Sequence, residues 1–230
     1  MCIRDRGKLV WSRDLGAPIS STAAADGERV HVVDRRGTLH TLGAATGDSL
    51  WSRAGGPAVP FPWGHESGDQ YTSSPLLLGD TLVVAGIDGR VRALRRTSGE
   101  LLWSVDLGAR IVSSPAAGPA GLFVGDVEGR VHALTRDGGR LWTFETVGAS
   151  LASEDFGFDR RTIQSSPAYA GGRVFVGSRD GKLYALDAGS GRELWRADHG
   201  PSATRGRPGW TVNESANGLV VNGDDVIFYG

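Results

Sequence analysis

The chain has 230 residues, 40% of them hydrophobic, with 35 Gly and a formal net charge of −1. That charge gives no electrostatic case for nucleic acid or an anionic membrane surface, and no apolar run approaches the roughly 20 residues of a membrane-spanning helix. The sole cysteine, Cys2, excludes a disulfide framework within the chain.

Met1 to Arg6 (MCIRDR) fits no pattern found elsewhere in the chain. It matches the translation of a transposon-type sequencing adaptor, so residues 1–6 are expected to be non-native. The absence of a leader peptide then carries no information about export. Residues 7–230 read as one repeat domain.

Gly7 to Trp11 has the form of a repeat tail, and closing tryptophans recur at Trp51, Trp103, Trp142 and Trp195. Their spacings are 40, 52, 39 and 53 residues. The fourth copy, Ser165 to Trp195, is the clearest. Ser165 to Ala168 is a small-residue first strand, Arg173 to Ser178 and Lys182 to Leu186 are Val-, Leu- and aromatic-rich strands, and Arg192 to Trp195 is a fourth. Asp180-Gly181 supplies the tight turn between the middle strands, because Gly adopts positive φ at little cost. Four antiparallel strands in about 40 residues make one propeller blade, which has two apolar faces and must stack on neighbours. A fifth copy begins at Arg196 and reaches Gly230 within a strand, Val226 to Tyr229. The expected fold is all-β: four-stranded antiparallel blades, about four and a half of them, in an incomplete ring.

The length differences fall between each closing Trp and the next small-residue strand. They define insertions 52–72, 143–164 and 196–212, expected on the face that carries the Asp-Gly hairpins. Binding residues concentrate on loops held by a rigid scaffold. The candidate ligand set is therefore Trp63, His65, Glu66 and Asp69 in the first insertion, Phe156, Asp159 and Arg160 in the second, and His199, Arg205 and Trp210 in the third. Aromatic walls with mixed charge suit a polar or anionic small ligand, or a protein partner. His65 has no second His or Cys at a helpful spacing, so no metal site is expected. No nucleophile elbow, phosphate-cradling loop or zincin helix is present, and no catalytic residue is assigned. Asp88, Asp180 and Glu128 read as turn formers, and His31, His40 and His132 as packing or edge residues.

The pattern Ser-Ser-Pro (165–167), Val-Phe-Val-Gly-Ser-Arg-Asp-Gly-Lys-Leu-Tyr-Ala-Leu-Asp (174–187) and Gly-Arg-Glu-Leu-Trp (191–195) resembles the pyrroloquinoline-quinone (PQQ)-type repeat family. The resemblance covers 7–230. The other copies depart at the position of Asp187, where Gly43, Arg95 and Thr135 stand, and the first copy has Thr22 in place of the Pro. The resemblance implies a β-propeller, commonly of seven or eight blades, so the chain is expected to be a fragment. It also implies that Trp11, Trp51, Trp103, Trp142 and Trp195 dock between adjacent blades. Some members are quinoprotein dehydrogenases that hold PQQ and Ca²⁺. Others use the repeat without a cofactor, as cell-envelope assembly scaffolds or sensor domains. The reading adopted is a non-catalytic, extracytoplasmic binding or scaffold module with no cofactor. The alternatives are a fragment of a PQQ-dependent dehydrogenase and a sensor domain of a signalling protein.

Overall fold

A computed structural model describes residues 9–58, 72–151 and 160–198 in full, and strands 218–222 and 225–229 through their backbone pairing. Blade 1 contains β1 (Ala24–Ala25), β2 (Arg29–Val33), β3 (Thr38–Gly43) and β4 (Ser49–Ala54). Blade 2 contains β5 (Leu76–Leu78), β6 (Thr81–Ala85), β7 (Arg90–Arg95) and β8 (Leu101–Asp106). Blade 3 contains β9 (Ala116–Gly118), β10 (Gly121–Gly125), β11 (Arg130–Leu134) and β12 (Arg140–Glu145). Blade 4 contains β13 (Ala168–Ala170), β14 (Arg173–Ser178), β15 (Lys182–Asp187) and β16 (Glu193–Asp198). Each blade is an antiparallel meander in chain order, and β17 (Gly218–Asn222) and β18 (Asp225–Tyr229) form a further hairpin. The innermost strands of neighbouring blades approach one another, and among the described residues the sheets do not close into a ring.

The second strands are buried on both faces; every residue of Gly121–Gly125 is inaccessible. The reason is the stacking of blades, which covers both sides of a middle strand and removes the polar alternation of a one-sided sheet. Between blades 1 and 2 lie Val33, Leu39, Leu82, Val84 and Leu94. Between blades 3 and 4, Phe123, Val131 and Ala133 meet Val174, Val176 and Leu186. Complete burial of a side chain such as Leu82 or Phe123 stabilises by roughly 1.5–3 kcal/mol.

Two boundaries differ from the sequence expectation. The first strand of blade 4 begins at Ala168, because Ser165 turns its hydroxyl inward instead of extending the strand. The outer strands run three residues past each Trp, so the insertions start later than 52, 143 and 196. Residues such as Arg53 and Thr143 look like loop by composition, yet their backbones still pair with Leu39 and His132.

Every blade has a register shift between its third and fourth strands, at Thr41/Leu42, Ala93/Leu94, Ala133/Leu134 and Ala185/Leu186. The extra residue is Leu50, Leu102, Leu141 and Leu194 in turn, each exposed. Such a bulge twists the edge strand and interrupts its hydrogen-bonding row, which makes the rim a poorer template for edge-to-edge pairing.

In blades 1 to 3 the residue after the bulge, Trp51, Trp103 or Trp142, reaches the following blade, and Trp11 reaches blade 1 in the same way. Indole Nε1 donates to a backbone oxygen there: Trp11 to Ala44 (2.7 Å), Trp51 to Arg96 (3.1 Å), Trp103 to Arg136 (3.0 Å) and Trp142 to Ala188 (3.0 Å). Each ring covers the turn glycine of that blade, Gly47, Gly99, Gly138 and Gly191 respectively. Trp195 is 40% exposed.

The two serines of the Ser-Ser motif have separate tasks. The first closes its own blade: Ser113 Oγ donates to Gly125 O (2.8 Å) and accepts from Gly125 N (2.9 Å). Ser21 does the same with Val33, and Ser165 with Gly177. In blade 1 Ser21 and Thr22 thus hold the places of the two serines and Ala23 that of the Pro, one residue on from the sequence expectation that Thr22 replaces the Pro. The second ties neighbouring blades together. Thr22 N donates to Ser74 Oγ (2.8 Å), Ser74 N to Ser114 Oγ (2.9 Å) and Ser114 N to Ser166 Oγ (3.2 Å).

Candidate functional site

The hairpin turns between second and third strands build one face. Glycine at positive φ closes each turn, at Gly37 (75°), Gly89 (77°), Gly129 (82°) and Gly181 (82°). A carboxylate in each turn reaches the same position on the third strand, but from two different places. In blades 1 and 3 it is the first turn residue: Asp34 Oδ2 bonds His40 Nε2 and Asp126 Oδ2 bonds His132 Nε2, both at 2.9 Å. In blades 2 and 4 it is the third: Asp88 pairs with Arg92, and Tyr184 OH donates to Asp180 Oδ2 at 2.6 Å. The first turn residue in those blades is small, Gly86 or Ser178. A Cβ on Gly86 would lie 2.6 Å from Asp88 Oδ1, so one carboxylate location excludes the other.

Burial opposes ionisation of Asp126, but the His132 hydrogen bond, the Arg130 amide and the charges of His132 and Arg130 outweigh it and hold its carboxyl below the usual range. Arg92 does the same for Asp88 against its burial. Burial, and then the hydrogen bond to Asp180, push the Tyr184 hydroxyl well above the ordinary phenol range. The Glu128 amide donates to Asp126 Oδ1 (2.8 Å), while its carboxylate turns away to meet Arg161 Nη1 at 3.2 Å.

All three described blade-to-blade connections leave from this face. Gly55 N donates to Gly37 O (2.6 Å), Leu107 N to Gly89 O (2.7 Å) and Thr146 N to Gly129 O (2.9 Å). The second insertion is fastened at both ends. After Thr146 a 3₁₀ turn (Val147–Ser150) hangs on blade 4: Gly148 N donates to Asp180 Oδ2 (2.8 Å) and Val147 N to Tyr184 OH (2.9 Å). On the return, Arg160 Nη2 donates to Asp180 O (3.2 Å) and Arg161 Nε to Leu151 O (2.8 Å). At the root of the first insertion an apolar crevice opens between blades 1 and 2, lined by Val33, Pro57, Thr72, Ser73, Val84 and Ile87 among others.

Of the sequence-derived ligand residues, Arg160 is placed, and it holds the backbone of the Asp180 turn. Trp63, His65, Glu66, Asp69, Phe156, Asp159, His199, Arg205 and Trp210 lie outside the described residues. The roles of His40, His132, Arg92 and Tyr184 were missed by sequence reasoning. The readable signal was the exchange of Asp-x₅-His for Asp-x₃-Arg or Asp-x₃-Tyr between copies. Among the described residues no three His, Cys, Asp or Glu side chains converge as metal ligands. The carboxylates Asp88, Asp126 and Asp180 each accept backbone hydrogen bonds within their own turn.

The repeat and its blade-to-blade docking define a β-propeller of the PQQ-type repeat class. The model of the outer membrane protein assembly factor BamB family matches residues 2–61 and 62–230, and the chain belongs to that family. Among solved structures it is similar to BamB from Moraxella catarrhalis, with TM-score 0.65 and 23% identity over 82% of this chain and 55% of that one. It is also similar to the quinohemoprotein alcohol dehydrogenase ADHIIG from Pseudomonas putida HK5 (TM-score 0.62, 17% identity, 81% of this chain and 35% of that one). A europium-containing methanol dehydrogenase gives TM-score 0.65 and 15% identity over 83% of this chain and 44% of that one. At these identities the likeness establishes the fold. The chain spans about half the length of the Moraxella protein. No curated protein matches the sequence.

Proposed function

We propose that the chain is a non-catalytic scaffold of outer-membrane protein assembly, working outside the cytoplasm. It binds a protein partner on the face that carries the insertions. The observation that supports this most is the anchoring of the second insertion: Asp180, Tyr184, Arg160 and Arg161 fix both of its roots to blades 3 and 4. Fixed roots leave less chain to be ordered when a partner binds. The family match supports a partner among the protein components of outer-membrane assembly.

The test places a photo-crosslinking residue at Ser150, on this face, and at Leu50, on the outer rim, in cells of the source organism. Crosslinks from Ser150 to an envelope assembly protein, absent from Leu50, support the reading. Crosslinks from Leu50 alone overturn it. Calorimetric titration with PQQ and Ca²⁺ tests the dehydrogenase alternative, and saturable Ca²⁺-dependent binding would replace the scaffold reading.

A further inference from the structure

Beneath each closing tryptophan the blades carry a cross-strand pair. It is Val83–Ala93 under Trp103, Phe123–Ala133 under Trp142 and Phe175–Ala185 under Trp195. Blade 1 carries His31–Thr41 under Trp51. One of four equivalent rows is thus polar, and it faces the junction with blade 2.

His31 is fully buried. Its Nδ1 shares a 2.7 Å hydrogen bond with Thr41 Oγ1, while Nε2 has no partner among the described residues. The imidazole centroid lies 6.3 Å from that of Trp51, whose indole docks on Arg96 O and Gly99 of blade 2. The charged groups around His31 are Asp26 and Arg29 of blade 1 and Arg96 of blade 2. Asp26 already pairs with Arg96 across the junction, and Arg29 Nη1 stands 4.0 Å from the same carboxylate. Among the described residues no uncommitted anion is left for an imidazolium. His40 and His132 differ, since each faces a carboxylate of its own turn.

We propose that His31 makes the blade 1–blade 2 junction an acid-sensitive joint, closed while the imidazole is neutral and opened when it takes up a proton. Opening releases Trp51 from Gly99 and lets water reach Nε2. Burial, opposed by Asp26 and aided by Arg96 and Arg29, holds the closed-state imidazole down at about 4. An exposed imidazole titrates near 6.5, so linkage favours the open joint by about 30-fold more at pH 5.0 than at pH 7.5. The apolar pairs of the other rows give their junctions no such term.

Hydrogen exchange of the whole chain, followed by mass spectrometry at pH 7.5 and 5.0 and normalised for intrinsic exchange, tests the joint. Peptides covering Arg29–Ala54 and the Arg96–Gly99 turn are expected to lose protection by tenfold or more at pH 5.0. Peptides covering Arg130–Glu145 and Arg173–Asp187 are expected to hold theirs. The double substitution His31→Val with Thr41→Ala, which installs the Val83–Ala93 pair of blade 2, is expected to abolish the difference. Equal loss across all junctions, or unchanged loss in the double variant, overturns the proposal. If the double variant does not fold, the comparison between junctions in the natural chain decides alone.

Discussion

Trp142 covers Gly191: a Cβ on that glycine would lie 2.5 Å from Trp142 Cδ2, and the indole N–H donates to Ala188 O just upstream. Gly191 has φ 72°, so its turn and its contact both require the missing side chain. Gly191→Ala should therefore cost about 1–2 kcal/mol for the left-handed backbone and about 1–3 kcal/mol more for displacing the indole. Gly172→Ala in the same blade is the control, since Gly172 has φ 77° but open space around it. Urea denaturation of both variants should show the larger loss at Gly191. Equal losses would mean that the indole yields freely.

The Ser-Ser motif makes a second contrast available. Ser165→Ala leaves the Gly177 N–H buried with no acceptor and should destabilise by roughly 1–3 kcal/mol. The equivalent Ser73 hydroxyl is buried without a partner among the described residues. Ser73→Ala should be neutral or slightly stabilising in the same denaturation assay, and a loss as large as that of Ser165→Ala would contradict the pairing described.

Blade 2 holds its turn carboxylate at Asp88 because Gly86 leaves the space for it. Gly86→Asp alone should cost about 2 kcal/mol or more, from steric overlap and like charge at one site. Adding Asp88→Glu and Arg92→His rebuilds the blade 3 turn, Asp126-Val127-Glu128-Gly129-Arg130-Val131-His132. The triple variant should recover at least half of the loss, a non-additivity of the kind expected for groups in one network. Additive losses would show that the two arrangements are not interchangeable.

Acid should act in two windows. His31 has a depressed folded-state value, about 4 against an ordinary 6.5. The unfolded chain therefore binds the extra proton first, and stability falls as pH drops from about 6.5 to about 4. Asp126 is also depressed, from an ordinary carboxylate value near 4. Its stabilisation is complete above that value and is lost as pH falls further, through the folded-state value. Denaturation midpoints of His31→Val/Thr41→Ala should flatten the first window and leave the second. Asp126→Asn should shrink the second, which the depressed Asp88 shares, at a cost of roughly 3 kcal/mol at neutral pH for breaking a buried pair.

The number of copies, the blade as their unit and the register of the five tryptophans were legible in the sequence, because they rest on local turn chemistry and on spacing along the chain. The candidate site was legible only as a face. The roots of the first two insertions lie on it, and the one described ligand candidate, Arg160, holds a turn backbone. Function was readable to the class of repeat and no further. Only the tertiary structure decided what the two serines do, why a leucine precedes Trp51, Trp103, Trp142 and Trp195, and which turn carboxylate meets which partner. Ser74 N and Ser114 Oγ lie 40 residues apart in sequence, and Trp51 and Arg96 lie 45 apart. Contacts at that separation exist only once blades stack, and stacking turns repeated local patterns into pairs that differ from blade to blade.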